Sequence, residues 1–118
     1  YLWQLIWRTR KVYQYDPKTF EVLSETSMPQ NFQYTDGWGL TSSSDGLSDF
    51  YGANAAPADE ELYVTDSGTK LYKVEFDGKK FVQKSVVTVT SLQGIPVEMP
   101  NELELIGGEV WANIYTKE

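Results

Sequence analysis

The stretch Asn101-Glu102-Leu103-Glu104-Leu105-Ile106-Gly107-Gly108-Glu109-Val110-Trp111-Ala112-Asn113-Ile114-Tyr115 decides the fold. Two alternating runs flank a Gly-Gly pair. Glycine reaches the positive φ that tight two-residue hairpin turns require, so the stretch predicts a β-hairpin. On its first strand Leu103 and Leu105 share one face, while Glu102 and Glu104 share the other. On its second, Val110, Ala112 and Ile114 alternate with Trp111, Asn113 and Tyr115, which predicts one polar-aromatic face. Asn101 sits just before the first strand, where a side chain can project into a site from a rigid end.

Outward from the hairpin, alternation continues along the chain and no helix-period pattern of useful length appears. Strands are expected near residues 2–7, 11–15, 20–27, 37–40, 61–65, 70–75, 81–88, 102–106 and 109–115. Turn chemistry separates them at Asp16-Pro17-Lys18, Asp77-Gly78 and Gly107-Gly108. The expected fold class is all-β.

A weak internal repeat refines this. Trp3-Gln4-Leu5-Ile6-Trp7, Leu62-Tyr63-Val64-Thr65-Asp66 and Val110-Trp111-Ala112-Asn113-Ile114 read as one kind of strand. The first is followed by Tyr13-Gln14-Tyr15-Asp16, a turn, and Phe20-Glu21-Val22. The second is followed by Tyr72-Lys73-Val74-Glu75, a turn, and Phe81-Val82-Gln83. A period of roughly 40–50 residues with about four strands per unit suggests propeller blades. Polar residues 42–60 read as an inserted surface loop that lengthens the first spacing. At that period 118 residues supply two to three blades, and a closed ring needs about four to eight. The chain is therefore read as a partial β-propeller domain over residues 1–118. It starts without an initiator Met in the apolar run Tyr1-Leu2-Trp3, as a fragment or processed product would.

Composition narrows the function. Net charge is −7 and the isoelectric point is about 4.5, which argues against nucleic acid and anionic membrane surfaces as partners. No apolar run is long enough to span a bilayer as a helix. The chain has neither cysteine nor histidine. Disulfides, Ser-His-Asp and Cys-His catalysis and most zinc sites are thereby removed. The acidic side chains Asp45, Asp49, Asp59 and Glu60 could attract calcium, but they lack EF-hand spacing. No metal and no cofactor is expected.

Three ordered motifs resemble the glutamine cyclotransferases, the plant and bacterial type of glutaminyl-peptide cyclotransferase. The first is Asn101-Glu102-Leu103-Glu104 followed by Val110-Trp111-Ala112-Asn113-Ile114. The second is Leu5-Ile6-Trp7, where the family has Leu-Thr-Trp. The third is Asp36-Gly37-Trp38-Gly39-Leu40-Thr41, where the family usually starts with Glu. Tyr15-Asp16 and Thr65-Asp66-Ser67-Gly68 are weaker matches. The resemblance implies a five-bladed propeller that cyclises the N-terminal glutamine of peptides or proteins to pyroglutamate, releasing ammonia. It also implies a monomer at full length. Plant members enter the secretory pathway and bacterial members are exported, although no targeting signal is visible here.

The same resemblance nominates site residues. Trp7 and Trp38 match the tryptophans lining the family's pocket, where an indole offers an apolar wall and one N–H donor for a glutamine side chain. Asn101 matches the Asn that binds and orients substrate. Tyr115 falls where the family usually has Trp, keeping an aromatic wall and adding an O–H. No catalytic residue is expected within the chain. The family's proton-shuttling Glu lies in an upstream Gly-Glu-Gly element, its Gln further upstream, and its Lys downstream. Glu102 and Glu104 belong to a motif that accompanies that separate Glu and are not assigned its role.

Blander readings compete. A lone tryptophan in an all-β protein is usually core, and Trp3 and Trp111 are assigned to core or blade packing. Asn101 could cap a turn, Asn113 could satisfy strand-end backbone groups, and Asp66-Ser67-Gly68 reads as a tight turn. A non-catalytic carbohydrate- or peptide-binding propeller is the alternative function, since clustered tryptophans with amide and acidic groups also suit stacking on sugars. A purely structural domain would instead bury Trp7 and Trp38 far apart.

Overall fold

A computed structural model describes residues 1–42 and 61–115. Strands β1 (Leu2–Leu5), β2 (Lys11–Tyr15) and β3 (Val22–Ser27) form one sheet. Strands β4 (Leu40–Ser42), β5 (Glu61–Thr65), β6 (Lys70–Phe76) and β7 (Phe81–Thr88) form a second. Strands β8 (Pro100–Ile106) and β9 (Glu109–Ile114) form the hairpin that the Gly-Gly pair predicts. All pairings between these strands are antiparallel between neighbours in sequence, and no helix occurs among the described residues.

Local chemistry makes these meanders. Asp16 Oδ1 accepts hydrogen bonds from the backbone N–H groups of Lys18 (2.7 Å) and Thr19 (3.0 Å). Asp77 Oδ1 does the same for Lys79 and Lys80, both at 2.9 Å. These side-chain-to-backbone turns hold both carboxyls below the usual carboxylate range. The repeat extends to irregularities. Leu23 is the extra residue where β2 meets β3, and Lys84 the extra residue where β6 meets β7.

Alternation then decides which side is buried. Leu62 and Val64 of β5 and Tyr72 and Val74 of β6 face inward, and Val12 of β2 meets them from the first sheet. Met28 and Phe32, from the link after β3, close the core, with Phe32 stacked on Tyr72 at 3.8 Å. Trp3 packs edge-on against Phe76 (5.1 Å) and Phe81 (5.3 Å), joining the sheets as a core role requires. Strand β8 packs against β4 and β5, burying Leu103.

Several boundaries differ from expectation. Strand β1 stops at Leu5 because the chain then turns, with Arg10 at φ 53° and its N–H donating back to the Ile6 carbonyl (3.0 Å); Trp7 stands in that turn. Strand β3 starts at Val22, after Phe20 at φ 59°. Residues 37–39 precede the strand, with Trp38 and Gly39 bonded through their backbones to Thr65, so β4 begins at Leu40 rather than ending there. Ser42 pairs with Leu62 in β4 and is not loop. The remainder of the expected insert, 43–60, with its acidic side chains, lies outside the described residues. Trp111 is 58% exposed on the hairpin rather than packed into a core.

Candidate functional site

Gly37-Trp38-Gly39 runs through the junction of the three sheets. Gly37 N–H donates to the Trp7 carbonyl (2.8 Å) and Trp38 N–H to the Thr65 carbonyl (2.9 Å). Gly39 N–H donates to Thr65 Oγ1 (2.9 Å), whose hydroxyl donates in turn to the Asn101 carbonyl (3.3 Å). A Cβ on Gly39 would stand 1.9 Å from that carbonyl oxygen. One on Gly37 would stand 2.9 Å from the Leu5 side chain. Close approach, more than turn geometry, is what these two glycines supply. It brings the turn after β1, the approach to β4 and the start of β8 to one place.

A pocket of about 820 Å³ opens there. Trp7, Trp38, Asn101 and Tyr115 all line it, together with Leu5, Tyr34, Asp36, Ser67, Glu98, Met99 and Glu102. Trp7 sits at the rim, 55% exposed, with the Arg8 guanidinium 5.0 Å above its ring. Trp38 is half-buried and meets Tyr115 edge-on, at 5.4 Å and 88°. Tyr115 is placed by its backbone, N–H to the Met99 carbonyl, while Met99 N–H reaches the Gly68 carbonyl, each at 2.9 Å. Met99 holds φ 61°, a conformation costly for a side chain without glycine's freedom. The side-chain amide of Asn101 has no hydrogen-bond partner among the described residues.

The sequence reading offers the Trp38 indole N–H to a ligand; the structure gives it to Asp36, whose Oδ2 accepts it at 2.9 Å. Asp36 Oδ1 accepts from Ser67 N–H and Ser67 Oγ, both at 3.1 Å. In return Asp66, fully buried, reaches back. Its Oδ2 accepts from Tyr34 N–H (3.2 Å) and the Tyr72 hydroxyl (2.9 Å), and its Oδ1 from Gly68 N–H (2.9 Å). The Tyr72 hydroxyl also accepts from Gln33 N–H at 2.7 Å. Two aspartates thus clamp residues 33–36 to residues 66–68, each using the other segment's backbone. Burial, with the Asp66 carboxyl beside it, pushes the Tyr72 phenol up to about 12.

The polar-aromatic face expected on β9 is not one surface. Trp111 is exposed outside the pocket. Asn113 turns to accept Glu102 N–H at 2.8 Å, and Tyr115 lies beyond the strand end in the pocket. Asn113 therefore takes the structural role of satisfying a backbone group. Glu102 lines the pocket, whereas Glu104 pairs across the hairpin with Trp111. Asp66-Ser67-Gly68, expected as a tight turn, leads into a bend over residues 67–69, and its Asp66 and Ser67 make the clamp. Asp36 opens the third motif but is nominated for no role there, although a signal exists: the two-residue spacing of Asp36 and Trp38 would put both side chains on one face of an extended chain. No group of three acidic side chains among the described residues is arranged to hold a metal ion.

The pocket thus has aromatic walls, a pinned Trp38 indole and an Asn101 side-chain amide without a partner among the described residues. The sequence model of the glutamine cyclotransferase family matches residues 1–118. The chain is 28% identical over 117 residues to a glutaminyl-peptide cyclotransferase of Arabidopsis thaliana, covering 99% of this chain and 30% of that protein. The crystal structure of Myxococcus xanthus glutaminyl cyclase superposes with a TM-score of 0.68 at 28% identity, covering 95% of this chain and 38% of that one. The chain spans about a third of the length of these relatives. Because the match runs through every described strand and not through one motif, the chain belongs to the glutamine cyclotransferase family.

Proposed function

We propose that the protein carrying this chain is a glutaminyl-peptide cyclotransferase, acting on peptides and proteins that begin with glutamine. The α-amine attacks the γ-carboxamide carbon of the same residue, a lactam forms, and the carbon–nitrogen bond to the side-chain amine breaks to release ammonia. The observation that carries this reading is the meeting of Trp7, Trp38, Asn101 and Tyr115 at one pocket, from three separate parts of the chain.

Each residue has a distinct task in it. The reaction is intramolecular, so folding the side chain back towards the amine is a large share of catalysis. Trp7 and Trp38 supply walls against which the methylenes curl. Asn101 offers its side-chain N–H to the amide oxygen, where negative charge develops. Tyr115 backs the Trp38 ring and adds a hydroxyl. A proton must also pass from the attacking to the leaving nitrogen, which calls for a carboxyl group. By the family resemblance that group is a Glu outside these 118 residues. The four-stranded meander and the share of the Myxococcus chain that is covered support two to three blades of a five-bladed ring.

The test is the longer protein, assayed on a Gln-initiated peptide for ammonia and the matching mass loss. Activity abolished by Trp38→Ala or Asn101→Ala is the expected result. A second reading, a non-catalytic binding propeller, draws on the exposed Trp7 ring with Arg8 against it. A folded longer protein that binds glycans or peptides and yields no ammonia would favour it.

A further inference from the structure

We propose that Asp36 is a positioning residue of the pocket, holding the Trp38 indole by its nitrogen so that the ring forms a fixed wall; its consequence for substrate rests on the cyclotransferase reading above.

Three donors fill the Asp36 carboxylate. Ser67 occupies Oδ1 through both N–H and hydroxyl, and Trp38 Nε1 occupies Oδ2. With Oδ1 tied to a segment 31 residues away, the carboxylate cannot follow the indole; the indole must come to it. Asp66 keeps residues 34–36 in place by accepting Tyr34 N–H. The Trp38 ring is thus held by its nitrogen, and its face or edge is met by Tyr115 at 88°. A free tryptophan side chain turns about two torsions, and both are fixed here.

The hold changes what Trp38 can do. Its N–H, the indole's sole donor, is spent. The ring contributes surface only, and an amide oxygen in the pocket must be met by other donors. Asn101, unpartnered on its side chain among the described residues, stands in the same wall. Asp36 therefore sorts the pocket into an apolar wall and a separate polar contact.

The experiment uses the longer protein labelled with ¹⁵N-tryptophan, with the Trp38 indole resonance assigned by Trp38→Phe. Solvent exchange of that indole N–H, KM and kcat for a Gln-initiated peptide, and Tm are measured for Asp36→Ala, Asp36→Asn and Asp36→Glu. In Asp36→Ala, exchange should quicken about tenfold or more and KM rise by a similar factor, with kcat changed less, as befits loss of a charge-assisted hydrogen bond. Asp36→Asn should fall between, because one amide oxygen can face Trp38 or Ser67 but not both. Asp36→Glu, which keeps a carboxylate, should recover most of KM. Unchanged exchange in Asp36→Ala overturns the proposal. So does a fall in Tm with KM unmoved, which is what a mere turn residue would give. Should Asp36→Ala fail to fold, Asp36→Asn decides by the same two readouts. If the wild-type protein forms no pyroglutamate, the cyclotransferase reading fails, while indole exchange still decides whether Asp36 holds Trp38.

Discussion

At Gly39 a side chain has nowhere to go, since the space for its Cβ is filled by the Asn101 carbonyl. That oxygen belongs to a strand packed against β4 and β5, so relief would require moving β8. Gly39→Ala should destabilise the protein by about 3 kcal/mol or more, at the upper end for overpacking. Gly107 makes a useful contrast: it holds φ 59° with nothing within 4 Å of a Cβ. Gly107→Ala should cost only about 1 kcal/mol, the backbone strain alone. Urea unfolding compares the two, and equal costs would contradict the close-approach account. Tyr72 gives a pH prediction. Its phenol ionises near 10 in a free chain and near 12 when buried beside Asp66. Between those values the folded state holds the proton that the unfolded state has lost. Stability should therefore fall as pH rises from 10 to 12, by about 2 to 3 kcal/mol in all. Tyr72→Phe should flatten that part of the stability–pH curve, leaving the slope from lysines and other tyrosines. A curve of unchanged slope would mean that the buried hydroxyl does not resist ionisation.

Strands were the most legible level, and the misses have physical causes. Period-2 burial on β2 and β6 and the two Asp turns carry the meanders, and β2, β5 and β7 fall where sequence alternation puts them. Trp3, Leu5 and Trp7 alternate as a strand would, yet the ladder ends at Leu5, where the chain turns through Arg10, and the Trp7 carbonyl is claimed instead by Gly37 from 30 residues away. No local pattern encodes that claim. The hairpin shows how an element serves the site. Its register slips between Pro100 and Leu103, leaving Glu102 N–H without its ladder partner, and Asn113 Oδ1 takes it. Asn101, beside this bulge, is thereby aimed at the pocket. Asn113→Ala should cost about 1 kcal/mol, a typical net hydrogen bond, and speed amide exchange at Glu102. It should also raise KM in the longer protein through Asn101. A stability loss without any change in KM would confine Asn113 to holding the hairpin together.

For the molecule as a whole, the sequence carried the list of pocket residues by resemblance, while their meeting depends on contacts between sheets. The clamp of Asp36 on Ser67 and Asp66 on Tyr34 spans more than 30 residues and has no sequence pattern behind it. The same architecture governs how the 118-residue chain should behave alone. Its outer strands leave apolar side chains in water: Val22 and Leu23 on β3, Val86 and Val87 on β7, and Trp111 and Ile114 on β9. Unpaired strand edges with exposed apolar groups favour pairing with other copies. Opposing this, a net charge of −7 repels like chains at low ionic strength. The 118-residue chain should therefore associate with rising concentration, and more strongly as salt screens that repulsion. A longer protein that covers these strands should stay monomeric under the same conditions. The short chain should also form no pyroglutamate, because the carboxyl that moves the proton is expected outside it. Analytical ultracentrifugation across a salt series, with an ammonia assay on the same samples, tests both halves. A short chain that stays monomeric at all salt concentrations would mean that its strand edges are protected by their own twist or by charge. Ammonia release from that monomer would move the proton carrier inside the chain, making Glu98 and Glu102, the pocket's other carboxylates, the first residues to replace.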